Sequence, residues 1–219
     1  MTKQRWMGVV ALLLLGGGVM WAQTGRDKRA LPDDLRTVIA SGPIKLAPVQ
    51  LTNQHGQAVT ESWFTGQWTF FAFGFTHCPD VCIATLSQFV EIKKALAQRH
   101  PEIAPPRYVF ISVDPARDTP ARLAAYLAHF DRDFIGMTGS DAQIEALERS
   151  MATFHRKQTP LASGDYQVSH SGEIFLLDPA GRVYARFVPP LETSVVAAQL
   201  NSIMTFYARE TGQRLASRI

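Results

Sequence analysis

Two cysteines in 219 residues, both inside Phe75-Thr76-His77-Cys78-Pro79-Asp80-Val81-Cys82, constrain this chain more than any other feature. They come directly after the apolar run Trp68 to Phe75 and stand where a helical pattern begins. The run predicts a strand covered on both faces. Leu86, Phe89, Val90, Ile92 and Leu96 recur at helical spacing and predict a helix over Val81 to Arg99. Cysteines four positions apart at such a junction present both sulfurs on one face of the first helical turn. All of the chain's thiol chemistry is therefore gathered at one strand-to-helix turn.

The remaining elements alternate. Val49–Thr52 and Gln57–Thr60 flank Asn53-Gln54-His55-Gly56 as a hairpin. Tyr108–Val113 is a second buried strand. Thr119 caps a helix that opens on Pro120 and carries Leu123, Tyr126, Leu127 and Phe130. Phe134–Met137 is a short strand, and Ser140 or Asp141 caps a helix expected to run through Phe154. Glu173–Leu177 and Val183–Phe187 enclose the turn Asp178-Pro179-Ala180-Gly181, and Thr193–Arg209 is a closing amphipathic helix. This order predicts an α/β domain with a central sheet flanked by helices. A cysteine pair at the first strand-to-helix turn of such a unit is similar to the thioredoxin architecture.

The N-terminus carries a different signal. Lys3 and Arg5 precede a segment uncharged from Trp6 through Ala22, with Trp6 and Trp21 at its ends. At about 1.5 Å per residue in a helix it nearly spans a bilayer core. With Met20 two positions before Ala22, the pattern for signal cleavage is poor. Residues 1–22 are therefore expected to be an N-terminal transmembrane anchor rather than a cleaved signal. Residues 23–42 are expected to be a polar tether, and 43–219 the folded domain. Charges on either side of the segment do not settle its orientation. The net charge of +3 is mild and the basic residues are scattered, which argues against a nucleic-acid partner.

Three readings of Cys78 and Cys82 compete: buried core thiols, a redox pair at a helix N-terminus, and a soft metal clamp. The flanking His77, Pro79 and Asp80 argue against the first. A clamp of two sulfurs needs a further ligand. Of the six histidines, His55 falls in a turn, His100 and His129 at helix ends, and His77 beside Cys78 with its side chain directed elsewhere. His155 is left unassigned. His170 lies just before the Glu173–Leu177 strand, in a loop that approaches the cysteine turn in a thioredoxin-like sheet; a hydrogen-bonded loop histidine is the alternative. Two thiolates and one imidazole suit Cu(I), and Cu(II) with an added oxygen, while structural zinc wants a fourth strong ligand.

Phe73-Gly74-Phe75-Thr76-His77-Cys78-Pro79-Asp80-Val81-Cys82 resembles the signature of the Sco (SenC/PrrC-like) copper-binding assembly proteins of cytochrome c oxidase. Ile111-Ser112-Val113-Asp114-Pro115-Ala116-Arg117-Asp118-Thr119-Pro120 resembles that family's second signature, and Gly136-Met137-Thr138-Gly139 a third. Asp165-Tyr166 followed by Val168-Ser169-His170-Ser171 is similar to the loop that supplies its histidine ligand. The resemblance runs from about Pro43 to Phe187.

It implies a thioredoxin-like fold and a copper site of Cys78, Cys82 and His170. Asp114, Asp118 and His77 are candidate supporting residues behind the ligands, with capping of the helix at Pro120 as the alternative for Asp118. It implies a single-pass protein of the inner (cytoplasmic) membrane whose domain faces the periplasm. The implied partners are cytochrome c oxidase subunit II, a copper donor chaperone and a thiol reductant. The implied role is a metallochaperone rather than a turnover enzyme. The alternative is a thiol–disulfide oxidoreductase that reduces the oxidase copper-site cysteines. A peroxidase is disfavoured because Phe75 stands where a Thr-x-x-Cys motif needs threonine. Two positions depart from the family pattern: Ser169 where an Asp is usual, and Ile83 where a Pro is common.

Overall fold

The apolar run after Trp68 becomes β4 (Thr69–Gly74), every residue of which is buried. This computed structural model describes residues 31–212 apart from 102 and 163–164. The expected anchor over 1–22 and the start of the expected tether lie outside the described residues. Among the described residues no helix is long and apolar enough to cross a membrane.

In chain order the elements are β1 (Ile39–Lys45), β2 (Gln50–Asn53), β3 (Ala58–Thr60), β4, α1 (Val81–Arg99), β5 (Arg107–Ser112), α2 (Pro120–Leu127) and β6 (Ile135–Thr138). They continue through α3 (Asp141–Ser150), β7 (His155–Lys157), β8 (Val168–His170), β9 (Ile174–Leu177), β10 (Arg182–Phe187) and α4 (Thr193–Thr211). Eight strands form one sheet in the order β1-β10-β9-β4-β5-β6-β2-β3, and β7 and β8 form a separate ribbon. β4, β5 and β6 run parallel, in register from Thr69↔Arg107 to Gly74↔Ser112 across the first pair. Parallel neighbours need crossover connections, and α1 and α2 supply them. β9 closes the other side of β4 antiparallel, with Phe71 opposite Phe175.

Alternation along β4 sends successive rings to opposite faces. Phe70 packs with Phe89 of α1 and with Tyr108, at centroid separations of 6.2 and 5.5 Å. Phe71 and Phe73 meet Phe175 on the other face. β4 is thereby fixed from both sides, and so is the turn that leaves its C-terminal end.

Helix starts follow the expected chemistry. Thr119 Oγ1 accepts the Arg122 N–H, with Pro120 in the first turn, and Ser140 Oγ accepts the Gln143 N–H. The hairpin is present as β2 and β3, with Gly56 at φ +77° in its turn, and β2 joins the open edge of β6.

Three expectations need correction. Structure begins before residue 43: Leu35 is fully buried and β1 starts at Ile39, pairing with β10. A polar, Pro- and Gly-containing stretch gives no strand signal, and only the free edge of β10 recruits it. The third helix ends at Ser150 instead of Phe154, because the chain turns at Ala152, φ +52°, and enters β7. The stretch carrying His170, expected as a loop, is strand β8 in a ribbon with β7, and both strands are too short for alternation to show in sequence.

Candidate metal centre

Gly74, the last residue of β4, sets how closely the cysteine helix approaches the sheet. A Cβ at this position would lie 2.8 Å from Cys82 Sγ and would collide with the Phe110 ring. A lone glycine inside a buried strand is the sequence mark of such an approach, and sequence reasoning did not use it. Cys78 and Cys82 are both free thiols and both buried, Cys82 the more completely, at 1% exposed against 8%. No side chain caps α1. Instead the Cys82 N–H donates to Cys78 Sγ at 3.4 Å, so a sulfur takes one of the helix's open donors.

The two thiols are unequal. The hydrogen bond from Cys82 holds the Cys78 thiol well below the usual thiol range, outweighing its burial, and His170 and the Cys82 and Asp80 backbone add to the effect. That same bond, with deeper burial, pushes the Cys82 thiol up. The pair behaves as one thiolate beside one thiol, and a soft cation replaces the remaining proton when it binds.

His170, at the end of β8, completes the set from the far side. Its Nε2 lies 3.2 Å from Cys82 Sγ and 3.9 Å from Cys78 Sγ. Nδ1 lies 2.8 Å from the Ser171 carbonyl, which can only accept. Nδ1 therefore carries a proton, and Nε2 is the ring nitrogen turned to the sulfurs. The Phe75 ring meets the imidazole edge-on at 5.8 Å. Two Sγ atoms and one Nε2 lie within 4.8 Å of one another, the one such cluster among the described residues. Two thiolates and an imidazole fit a soft ion of low coordination number.

Asp114 and Asp118, both fully buried, do not join the cluster; they hold its two halves. Asp118 accepts from the Thr76 N–H, the Thr76 hydroxyl and the Ser112 hydroxyl at 2.8, 2.6 and 2.6 Å, which fixes the loop leading to Cys78. It leaves helix capping to Thr119. Asp114 accepts from Tyr166 Oη at 2.5 Å and pairs with Arg117, which reaches Asp165 at 2.8 Å and stacks 3.8 Å over the Tyr166 ring. Asp114 thus fixes the loop leading to His170. His77 is exposed and turned away from the sulfurs, beside Thr76 Oγ1 and Arg122 Nη2. Arg117, Tyr166 and Thr76 were not singled out in sequence, although all three stand inside the motifs quoted there.

The SCO1/SenC family model matches residues 41–205. The chain belongs to the SCO1/SenC family. It is 34% identical to the bovine mitochondrial SCO2 homolog over 79% of its own length and 65% of that protein's. The chain therefore spans about two thirds of that curated relative. The solved structure of Bradyrhizobium japonicum ScoI with copper bound is 36% identical, with a TM-score of 0.64 over 73% of this chain and 99% of that one. Yeast Sco1 with copper bound is 25% identical, with a TM-score of 0.70 over 78% and 96%.

Within this SCO1/SenC chain, the ribbon locates the departure at Ser169. β8 alternates, and Ser169 points to the exposed face while Val168 and His170 turn inward. Ser169 Oγ accepts from Gln158 Nε2 at 3.2 Å, away from the sulfurs. Ile83 lies on the exposed side of α1, next to Cys82 in sequence but outside the ligand cluster.

Proposed function

We propose that this SCO1/SenC chain is a copper metallochaperone that carries one copper ion on Cys78, Cys82 and His170 and serves assembly of the dinuclear copper site of cytochrome c oxidase subunit II. The observation that carries this reading is the convergence of two sulfurs and an imidazole nitrogen within 4.8 Å. The family membership and the copper-bound relatives support it. Copper is cargo here, so the site must release it. His170 is partly exposed, and Pro79, Asp80 and Val81 form an exposed lip beside Cys78. An incoming thiolate can displace one protein ligand at a time from that side.

The reading includes residues 1–22 as a membrane anchor that places the domain on the periplasmic side, supplied by a donor chaperone and kept reduced by a thiol reductant. The uncharged segment bounded by Trp6 and Trp21 supports this part. Fractionation of the full chain, followed by protease treatment of intact cells and spheroplasts, tests it.

A second reading has its own support. The depressed Cys78 thiol beside a protonated Cys82 is the pattern of a dithiol reductant, which attacks with the first sulfur and resolves with the second. The deciding experiment titrates copper into the reduced and oxidised protein, with His170→Ala alongside. One copper per reduced chain, lost on oxidation and altered by His170→Ala, is expected. No stoichiometric binding by the reduced form overturns the chaperone reading in favour of the reductant.

A further inference from the structure

Behind the ligand histidine lies a buried polar pair that the metal cluster does not use. Glu148, in the last turn of α3, and His155, the first residue of β7, have side chains 4% and 6% exposed, and Oε2 of the first lies 2.7 Å from Nδ1 of the second. The other carboxylate oxygen, Oε1, is buried with no hydrogen-bond partner. An under-satisfied buried carboxylate is costly, so this pair is hard to explain as a device for stability.

Its location supplies a reason. His155 stands directly opposite His170 in the β7–β8 ladder. Directly opposed residues share a face of an antiparallel ribbon, with Cβ atoms about 4.5–5.5 Å apart. Exposure follows that register, since His155 and His170 turn inward while Arg156 and Ser169 are exposed. A second tie lies one residue further on. Thr153 Oγ1 and Ser171 Oγ are 2.5 Å apart, and Ser171 supplies the carbonyl that orients the His170 ring. Both ties start from the end of α3, where the Thr153 N–H donates to the Glu148 carbonyl at 3.1 Å.

We propose that the Glu148–His155 pair is a positioning device for His170, bolting the ribbon to α3 so that Nε2 is held over Cys82. The proposal rests on the copper reading and deepens it. Imidazole matters more to Cu(II) than to Cu(I), for which two thiolates already suffice, so the pair tunes the balance between the two copper states.

The test compares the wild-type full chain with Glu148→Gln and with the double variant Glu148→Leu/His155→Phe. Glutamine keeps an acceptor for His155 Nδ1–H. The double variant replaces both polar partners with apolar groups and leaves no orphan, so it is expected to fold. Readouts are Cu(I) and Cu(II) affinity by chelator competition, the sulfur-to-copper absorption band, Cu(II) paramagnetic resonance, and the side-chain nitrogen shifts of His170 in the metal-free protein. The double variant should lose about tenfold in Cu(II) affinity, the low end of the range for outer partners of ligating histidines. Its Cu(II) spectra should change and its Cu(I) affinity should hold. Glu148→Gln should stay close to wild type.

A folded double variant with wild-type Cu(II) spectra and affinity overturns the proposal, and so does an equal loss for both copper states. If the double variant does not fold, Glu148→Gln/His155→Leu, which breaks the tie and leaves no buried charge, takes its place; unchanged Cu(II) spectra there overturn the proposal too. Should the wild type bind no copper at all, the function proposed above fails on its own. The His170 nitrogen shifts then still decide the positioning role: moved in the double variant and kept in Glu148→Gln supports it, unmoved overturns it.

Discussion

Asp118 reaches back to Thr76 and takes both of its donors, the backbone N–H at 2.8 Å and the hydroxyl at 2.6 Å. The bonds join the loop after β5 to the loop before Cys78, so a residue outside the ligand set decides where the first sulfur sits. Asp118→Ala strands these donors and the Ser112 hydroxyl in a buried site. The expected loss is about 3 kcal/mol of stability, from buried donors left without an acceptor. Asp118→Asn should lose less. Urea unfolding of the metal-free protein measures it, and an unshifted midpoint for Asp118→Ala refutes the role.

Gly74→Ala probes the approach of helix to sheet. The added methyl would press on Cys82 Sγ and the Phe110 ring. Over-packing of this kind costs about 1–3 kcal/mol. Because the strain falls on a ligand, copper affinity should drop together with the melting temperature. A variant of wild-type stability that binds copper normally would show that α1 can shift at no cost.

The unequal thiols predict unequal reactivity. A thiol held below its ordinary range is already thiolate near pH 6, so alkylation of Cys78 should change little between pH 6 and 8. Cys82, pushed up and more deeply buried, should stay protected over the same interval. Mass spectrometry of partly alkylated, metal-free protein reads this directly. A single label found first on Cys82 would reverse the assignment.

Arg117→Ala removes the partner of the buried Asp114, the bond to Asp165 and the stack over Tyr166. Leaving a buried carboxylate without its cation costs about 3 kcal/mol. The loop that carries His170 should loosen, with Cu(II) affected more than Cu(I). Arg117→Lys should rescue little, because an ammonium cannot fork between two carboxylates. Equal copper affinities across the three proteins would separate this cluster from the metal centre.

Much of the site could be read before any coordinates. Cys78 and Cys82 were legible because strand, turn and helix are local events: an apolar run ends, a helix starts, and spacing fixes which side chains share a face. His170 was nameable from its motif, whereas the 3.2 Å contact with Cys82 crosses 88 residues of chain and no local pattern encodes it. Asp114 and Asp118 were picked out together as supporting residues, but which loop each one grips depends on where Tyr166 and Thr76 arrive. β1 and the β7–β8 ribbon were missed because their strands exist only by pairing with an edge already in place.

The sequence by itself determined the alternation of strand and helix, the helix caps at Thr119 and Ser140, and the gathering of both thiols at one turn. These follow from hydrophobic period and short-range hydrogen bonding, which act over a few residues. Tertiary structure alone decided that His170 Nε2 faces the sulfurs, that its proton sits on the side of the Ser171 carbonyl, and that Glu148 and His155 lie buried behind it. Those outcomes depend on the packing of segments far apart in the chain, where burial and the need to satisfy each polar group select one arrangement.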